Sequence, residues 1–346
     1  MFQKGQDDSL YSFVSRRFGS RIADTLIDPL IRGITAGDAR EISVKFMAAR
    51  PYELEQKYGS VILGSLLSLL TKKSALSASE ELVNVGSSKL ATAAKSERWS
   101  VWSLESGLEL LPKRLEQKLV DMGVDIWRNS SVKSLVLDPV YNRNQVHYVD
   151  NQTKQICQLE CSQIISTIPA WELAKILKES SPTSLQLTQL LSSVPSVDVT
   201  VTNLKYTNET FPPDKEGFGF LVPSCEKSVE GLLGIVFNTC AFPQDGDIIL
   251  TAMSRGISVE KILKYVETTM GFRNPCFVDS VELKDCIPQY TVGHYERIAD
   301  ARKVISDAKL PLTLAGASFD GVSVNDCIMS GRKAGEKLPF DTFRGS

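Results

Sequence analysis

One stretch constrains this chain more than any other: LPLTLAGASFDGVSVNDCIMSGRKAGEKL, Leu310 to Leu338. A continuous apolar run breaks at glycine and then passes Asn325 and Asp326 into a series of small and polar residues. That order predicts a buried strand over Leu310–Leu314, a glycine turn at Gly316 and a helix starting near Asn325 and Asp326. Ser330, Gly331, Ala334 and Gly335 predict a thin helix that packs closely on a sheet. A strand that delivers a helix N-terminus to a crevice presents unpaired N–H groups and the positive end of the helix dipole. An anion or an electron-rich ring edge suits that position. An ordinary strand–helix unit with no ligand fits the same pattern.

The rest of the chain narrows the choices. With 346 residues there is room for about two domains. Apolar residues make up 42% and charged residues 23%, so a packed core is expected rather than global disorder. The formal charge of -2 and the lack of a long basic run argue against nucleic acid as a partner. Seven scattered cysteines with no CxxC read as reduced thiols, and only two histidines, His147 and His294, argue against a protein zinc site. The first residues, MFQKGQDDSL, are neither a secretory signal nor an Arg-rich transit peptide. The longest apolar run, Ser60–Leu70, is far short of the ~20 residues needed to cross a bilayer.

Along the chain, the first hundred residues read as helical. Leu10, Phe13, Val14 and Phe18 make one face with a stop at Gly19, and Ile22, Leu26, Ile27 and Leu30 make the next. The block DPLIRGITAGDAREIS, Asp28–Ser43, predicts a shaped turn between helices. Lys72–Ser96 reads as a loop. Leu108, Leu111, Leu115, Leu119 and Met122 recur at helical spacing before Gly123. VDIW and VKSLVL read as short strands joined at Asn129, followed by a hairpin near Asp150 and Asn151. QIISTIPAWELAKIL predicts a strand, a break at Pro169 and a helix. From Ser181 to about Gln289, DVTVTNLKY, GFGFLVP, LLGIVFN and DIILTAM read as strands of an antiparallel sheet, with a helix over Lys261–Met270.

No G-x-G-x-x-G fingerprint, Walker loop, G-x-S-x-G elbow or H-E-x-x-H occurs, and the lone GxG at Gly217–Gly219 lies in a strand-like run. Three blocks nevertheless resemble the protoporphyrinogen oxidases, oxygen-dependent flavoenzymes of haem synthesis within the amine-oxidase-like superfamily. They are Asp28–Ser43, GFGFLVPSCE (Gly217–Glu226) and CIPQYTVGHYER through LAGASFDGVSVNDCIMSGRKAG (Cys286–Gly335), with STIPA at Ser166–Ala170 in support. The resemblance runs over essentially the whole chain. It implies oxidation of protoporphyrinogen IX to protoporphyrin IX by hydride transfer to one non-covalent FAD, with O2 as acceptor and H2O2 as product. The cofactor then carries the hard chemistry and the protein positions it.

Residue by residue, the resemblance places Leu30, Gly33, Phe218 and Leu221 around the macrocycle, with Arg32 supporting the first two. It places Gly316, Ala317, Val322, Val324 and Asn325 against the flavin, Val132 at the adenine and Tyr295 beside the ring, where the family often has Trp. No catalytic acid, base or nucleophile and no metal ligand is assigned. The implied fold is a mixed α+β and α/β one. Its parts are a helical membrane-associating and pocket domain (1–95), an FAD-binding domain in two pieces (96–180 and 290–346) and an antiparallel-sheet substrate domain (181–289). It also implies peripheral attachment to the mitochondrial inner membrane on the intermembrane-space face, through the Ser60–Leu70 helix, and a homodimer as one assembly. Family members open with a βαβ unit carrying G-x-G-x-x-G. Its lack here predicts an N-terminally incomplete version that binds FAD weakly or not at all. The alternative reading is therefore a truncated product without enzymatic activity that keeps only membrane and porphyrin-pocket association. A carotenoid desaturase fits less well, because of Asp28–Ser43.

Overall fold

The computed structural model describes residues 5–70, 89–99, 103–104, 107–137, 144–177, 182–242 and 246–338. The chain forms two compact units, Met1–Arg50 with Val132–His147 and Gln158–Ser346, and Pro51–Ser131 with Tyr148–Cys157. The boundary between the units at Arg50 falls within residues 1–95.

In the first unit, α1 (Leu10–Phe18) begins where the Ser9 side chain accepts the Ser12 N–H, and it stops at Gly19, whose φ is 88°. Leu10, Phe13 and Val14 are its buried face. A π-helical turn over Ala23–Ile27 runs directly into α2 (Asp28–Thr35). The block expected to be a turn is therefore half helix. Pro29 lies just after the π-helical turn, and the wider turn lets the helix pass a residue that cannot donate. The chain reverses only at Ala36, in the left-handed region at φ 53°.

α3 (Val44–Tyr58) is two helical pieces joined across a kink at Ala48, three residues before Pro51. A proline ring excludes the helical carbonyl four residues back and cannot donate to it. In the second unit, α4 (Val61–Leu70) lies close on the end of α3, because Gly64 has no side chain. A Cβ there would lie 2.9 Å from Leu54 Cβ and from Tyr58 Cδ2. Of the expected Lys72–Ser96 loop, Lys89–Ser96 is helix α5, and 71–88 fall outside the described residues. α6 (Leu110–Asp121) carries the predicted apolar stripe, but Leu115, Leu119 and Met122 are exposed. VDIW is not a strand, and its Trp127 instead stacks on Tyr148 at 5.6 Å.

β1 (Ser130–Val136), β2 (Asn144–Asp150) and β3 (Ile156–Cys161) make a three-stranded sheet in that order, with the predicted turn after Asp150. β4 (Ile164–Ser166) then leads to α7 (Ala170–Ile176), with Pro169 as N-cap, and to α8 (Pro182–Ser192).

The antiparallel sheet is as the alternation predicts, and larger. Its strands are β5 (Ser196–Thr207), β6 (Gly219–Leu221), β7 (Leu232–Phe237), β8 (Asp247–Ser254) and β9 (Phe277–Pro288), in the order β6-β7-β8-β5-β9. Every second residue of β8 is buried, so Ile248, Leu250 and Ala252 face inward opposite Tyr206, Leu204 and Thr202. Ile262, Val266 and Met270 of α9 (Val259–Met270) close this core. Each fully buried Leu or Ile here contributes about 1.5–3 kcal/mol.

α10 (His294–Asp307), β10 (Leu312–Leu314) and α11 (Val324–Glu336) complete the unit. β10 pairs parallel with β4, Leu312 opposite Ile164 and Leu314 opposite Ser166. A second core gathers on this pair, built from Leu173, Leu187, Leu191, Ile298, Ala301 and Phe319. Parallel strands end at the same side, so the loops after Ser166 and after Leu314 emerge together. In α/β sheets that side is where ligands bind.

Candidate functional site

The loop from Ala315 to Ser323 is held from below. The Ala315 N–H donates to the Ser166 carbonyl at 3.0 Å, continuing the β4–β10 ladder. Gly316 follows at φ 101°, where a Cβ would come within 3.1 Å of the Thr167 carbonyl oxygen. Only glycine sits there without strain. The Gly316 N–H donates to Ser330 Oγ at 3.0 Å, and Ser318 Oγ accepts the Ala170 N–H at 3.1 Å. The two loops are therefore cross-bonded into one rim.

α11 starts one residue before the expected position. Ser323 is the N-cap, accepting the Asp326 N–H at 3.1 Å, while the Asp326 carboxylate accepts the Ser323 N–H at 3.2 Å, a capping box. Asp326 already offsets part of the helix's positive end. The N–H groups of Val324 and Asn325, in the first turn, have no carbonyl within the helix to meet and point outward. Of the residues expected to thin this helix, Ser330 and Ala334 are buried, whereas Gly331 and Gly335 face open space.

Beneath the rim lies an aromatic cluster from the start of α10 and the segment before it. The buried Tyr290 hydroxyl donates to the Ala317 carbonyl and accepts the Gly321 N–H, both at 2.7 Å. Its ring stacks on His294 at 3.8 Å, and Tyr295 meets both edge-on at 5.9 and 5.6 Å. Burial, then the charges of Asp7, Asp326 and Asp320, push the Tyr295 phenol up to about 12. Burial chiefly, with Arg297 adding, lowers His294 to about 4, so its imidazole is neutral at physiological pH. Burial alone would raise Asp320, but hydrogen bonds from Arg302 and Ser330 and the Arg302 charge outweigh it and hold the carboxyl below its ordinary range.

A second wall comes from α2 and β6. Asp28, buried, accepts the Ser224 N–H at 2.7 Å. Arg32 donates to the carbonyls of Val222 and Leu232, both at 3.2 Å. Between these anchors Gly33 faces Leu221, and a Cβ on Gly33 would lie 2.3 Å from Leu221 Cδ2. The structure thus brings Gly33 and Leu221 together, with Leu30 partly buried on the same helix. Phe218 is exposed on the approach to β6 and lines a cavity of about 780 Å³ with Phe211, Thr239 and Cys240. Val132, exposed on β1, lies outside the hydrogen-bonded cluster around Tyr290.

Gln289, Tyr290, Ser318 and Asp320 are the residues of this site that local pattern does not single out. Gln289 and Tyr290 sit inside the quoted block IPQYTVGHYER, but their partners are remote in sequence.

Residues 3–338 match the family model of the flavin containing amine oxidoreductases, and the chain belongs to that family. Within it, the chain groups with the protoporphyrinogen oxidases. It is 37% identical to the bovine protein of that name over 97% of this chain and 69% of the relative, and 37% identical to the human one over 96% and 69%. A protein of Exiguobacterium sp. 255-15, solved under a provisional assignment as protoporphyrinogen oxidase, superimposes with a TM-score of 0.71 at 22% identity, covering 97% of this chain and 68% of the other. That likeness carries the fold. The donor set fits a flavin ring edge: a strain-free glycine turn at Gly316 and two N–H groups at a helix start that meet no carbonyl of the helix.

Proposed function

We propose that this chain oxidises protoporphyrinogen IX to protoporphyrin IX with FAD as its flavin and O2 as final acceptor. The observation that carries the reading is that the Gly316–Asn325 rim and the α2 helix with its apolar Gly33–Leu221 contact lie in one compact unit and are linked through the adjacent Gln289 and Tyr290. When bound, the flavin supplies a hydride acceptor. The chain's residues do the rest. The N–H groups of Val324 and Asn325 favour negative charge at the ring edge, as helix starts do. Gly316, Ala317 and Val322 would shape the turn that holds the ring, Tyr295 would pack beside it, and the Val132 backbone would hold the adenine. Leu30, Gly33, Phe218 and Leu221 offer apolar surface to a flat macrocycle and keep water from it.

Porphyrin fluorescence measures this directly. Protein supplemented with excess FAD should generate protoporphyrin faster than FAD alone, and equal rates would sink the proposal. The lack of a G-x-G-x-x-G loop in these 346 residues argues for weak FAD binding, and an FAD titration reads that affinity.

The same reading includes a peripheral place on the mitochondrial inner membrane, facing the intermembrane space, and a homodimer. No helix among the described residues is long and apolar enough to cross a membrane. Ile62, Leu63 and Leu66 of α4 are exposed, an apolar face suited to the lipid boundary. Ile62→Lys with Leu66→Lys should release the protein from liposomes, and unchanged binding would remove α4 from that role. Sedimentation reads the dimer.

A further inference from the structure

Gln289 and Tyr290 are adjacent, both buried, and each reaches a different wall of the site. Gln289 Nε2 donates to the Thr35 carbonyl at the end of α2, at 2.9 Å. Its Oε1 lies against Gly37, where a Cβ would come within 2.0 Å. The Tyr290 hydroxyl spans the flavin rim, bonding Ala317 on one side and Gly321 on the other. The backbone between them is pinned as well, because the Gln289 N–H donates to Pro195 O and the Tyr290 carbonyl accepts the Ser43 N–H, both at 2.8 Å. One pinned peptide unit therefore carries both the contact to the rim and the contact to the α2 wall.

We propose that Gln289 and Tyr290 are positioning residues that set the separation between the α2 wall and the 315–323 rim, and so the registry of macrocycle against flavin. This rests on the function proposed above. Neither side chain needs to touch a ligand. Tyr290 fixes the rim's height through two hydrogen bonds, and Gln289 fixes the wall through one. Reaction between two bound rings depends on such registry, since small misplacement of the partners lowers rate more than affinity.

Two single variants separate the arms. Tyr290→Phe keeps the ring on His294 and deletes only the hydroxyl, and Gln289→Leu deletes only the amide. Hydrogen exchange of the purified chain, read by mass spectrometry without ligand, should rise about tenfold at 315–323 in Tyr290→Phe and at 33–38 in Gln289→Leu, each leaving the other segment unchanged. That is the scale of one or two net hydrogen bonds. With excess FAD, Tyr290→Phe should weaken FAD binding and lower kcat, whereas Gln289→Leu should lower kcat and raise KM with FAD affinity intact. Exchange that rises equally in both segments, or in neither, overturns the proposal. So does the expected exchange pattern with unchanged kcat. A wild-type chain that forms no protoporphyrin overturns the functional reading and the proposal's role in it, whereas an active wild type with the wrong exchange pattern overturns the proposal alone.

Discussion

Replacing His294 by Phe should remove a specific loss of stability in mild acid. The His294 side chain is fully buried, and among the described residues neither ring nitrogen has a hydrogen-bond partner of good geometry, the Phe319 backbone giving only a weak contact. Desolvation opposes a charge there first, and Arg297 adds to it. The Phe319 backbone and Asp320 favour the charged form too weakly to compensate. The folded value of about 4 lies below the ordinary 6.5. As pH falls from 6.5 toward 4, the unfolded chain takes up this proton and the folded chain does not, so stability falls through that window and levels off below it. At about 1.4 kcal/mol per pH unit, a displacement of this size gives a loss of about 3 kcal/mol. Carboxylates held below their usual range, Asp320 and Glu296 among them, lose their contribution at lower pH and do so in both proteins. Unfolding free energies from urea curves should therefore fall by about 3 kcal/mol more for wild type than for His294→Phe between pH 7 and 4. Parallel curves would show that His294 is hydrated or paired in the folded state, and the neutral-imidazole argument would fail.

Other substitutions probe the two walls. Gly321→Ala, at φ 148° with its Cβ 2.4 Å from Asp326 Cγ, should cost about 1–3 kcal/mol of thermal stability. Ser323→Ala should cost about 1 kcal/mol through the lost cap, and it should weaken FAD binding by disordering the first turn of α11. Arg32→Ala strands two carbonyls and should destabilise by about 1.5–3 kcal/mol in thermal unfolding. Gly33→Val must displace Leu221, so it should raise KM for protoporphyrinogen while FAD affinity holds.

What was legible in the sequence was what short-range periodicity encodes. β8 alternates cleanly because one face meets α9, and α1 ends at Gly19 because only glycine accepts that φ cheaply. α2 was masked by its composition, since Pro29 and Gly33 suggest a turn when read alone. In the fold, Pro29 is accommodated by the π-helical turn before it and Gly33 makes room for Leu221. β9 escaped detection because it is an edge strand, exposed along nearly its whole length, with no buried face to impose alternation. Gly331 and Gly335 looked like packing residues because spacing cannot say which side of α11 meets the sheet. Gln289 and Tyr290 could not be named in advance. Their partners lie 254 residues before the one and 27 after the other, and no local pattern records such contacts.

The central claim meets its most direct test in an anaerobic titration. Protein with bound FAD is mixed with protoporphyrinogen IX, and the flavin absorbance is followed. The predicted result is bleaching of the flavin by two electrons per FAD, followed on admitting O2 by recovery of the flavin absorbance and growth of protoporphyrin as the rest of the six electrons leave the macrocycle. Flavin that stays oxidised in the presence of excess protoporphyrinogen would contradict it.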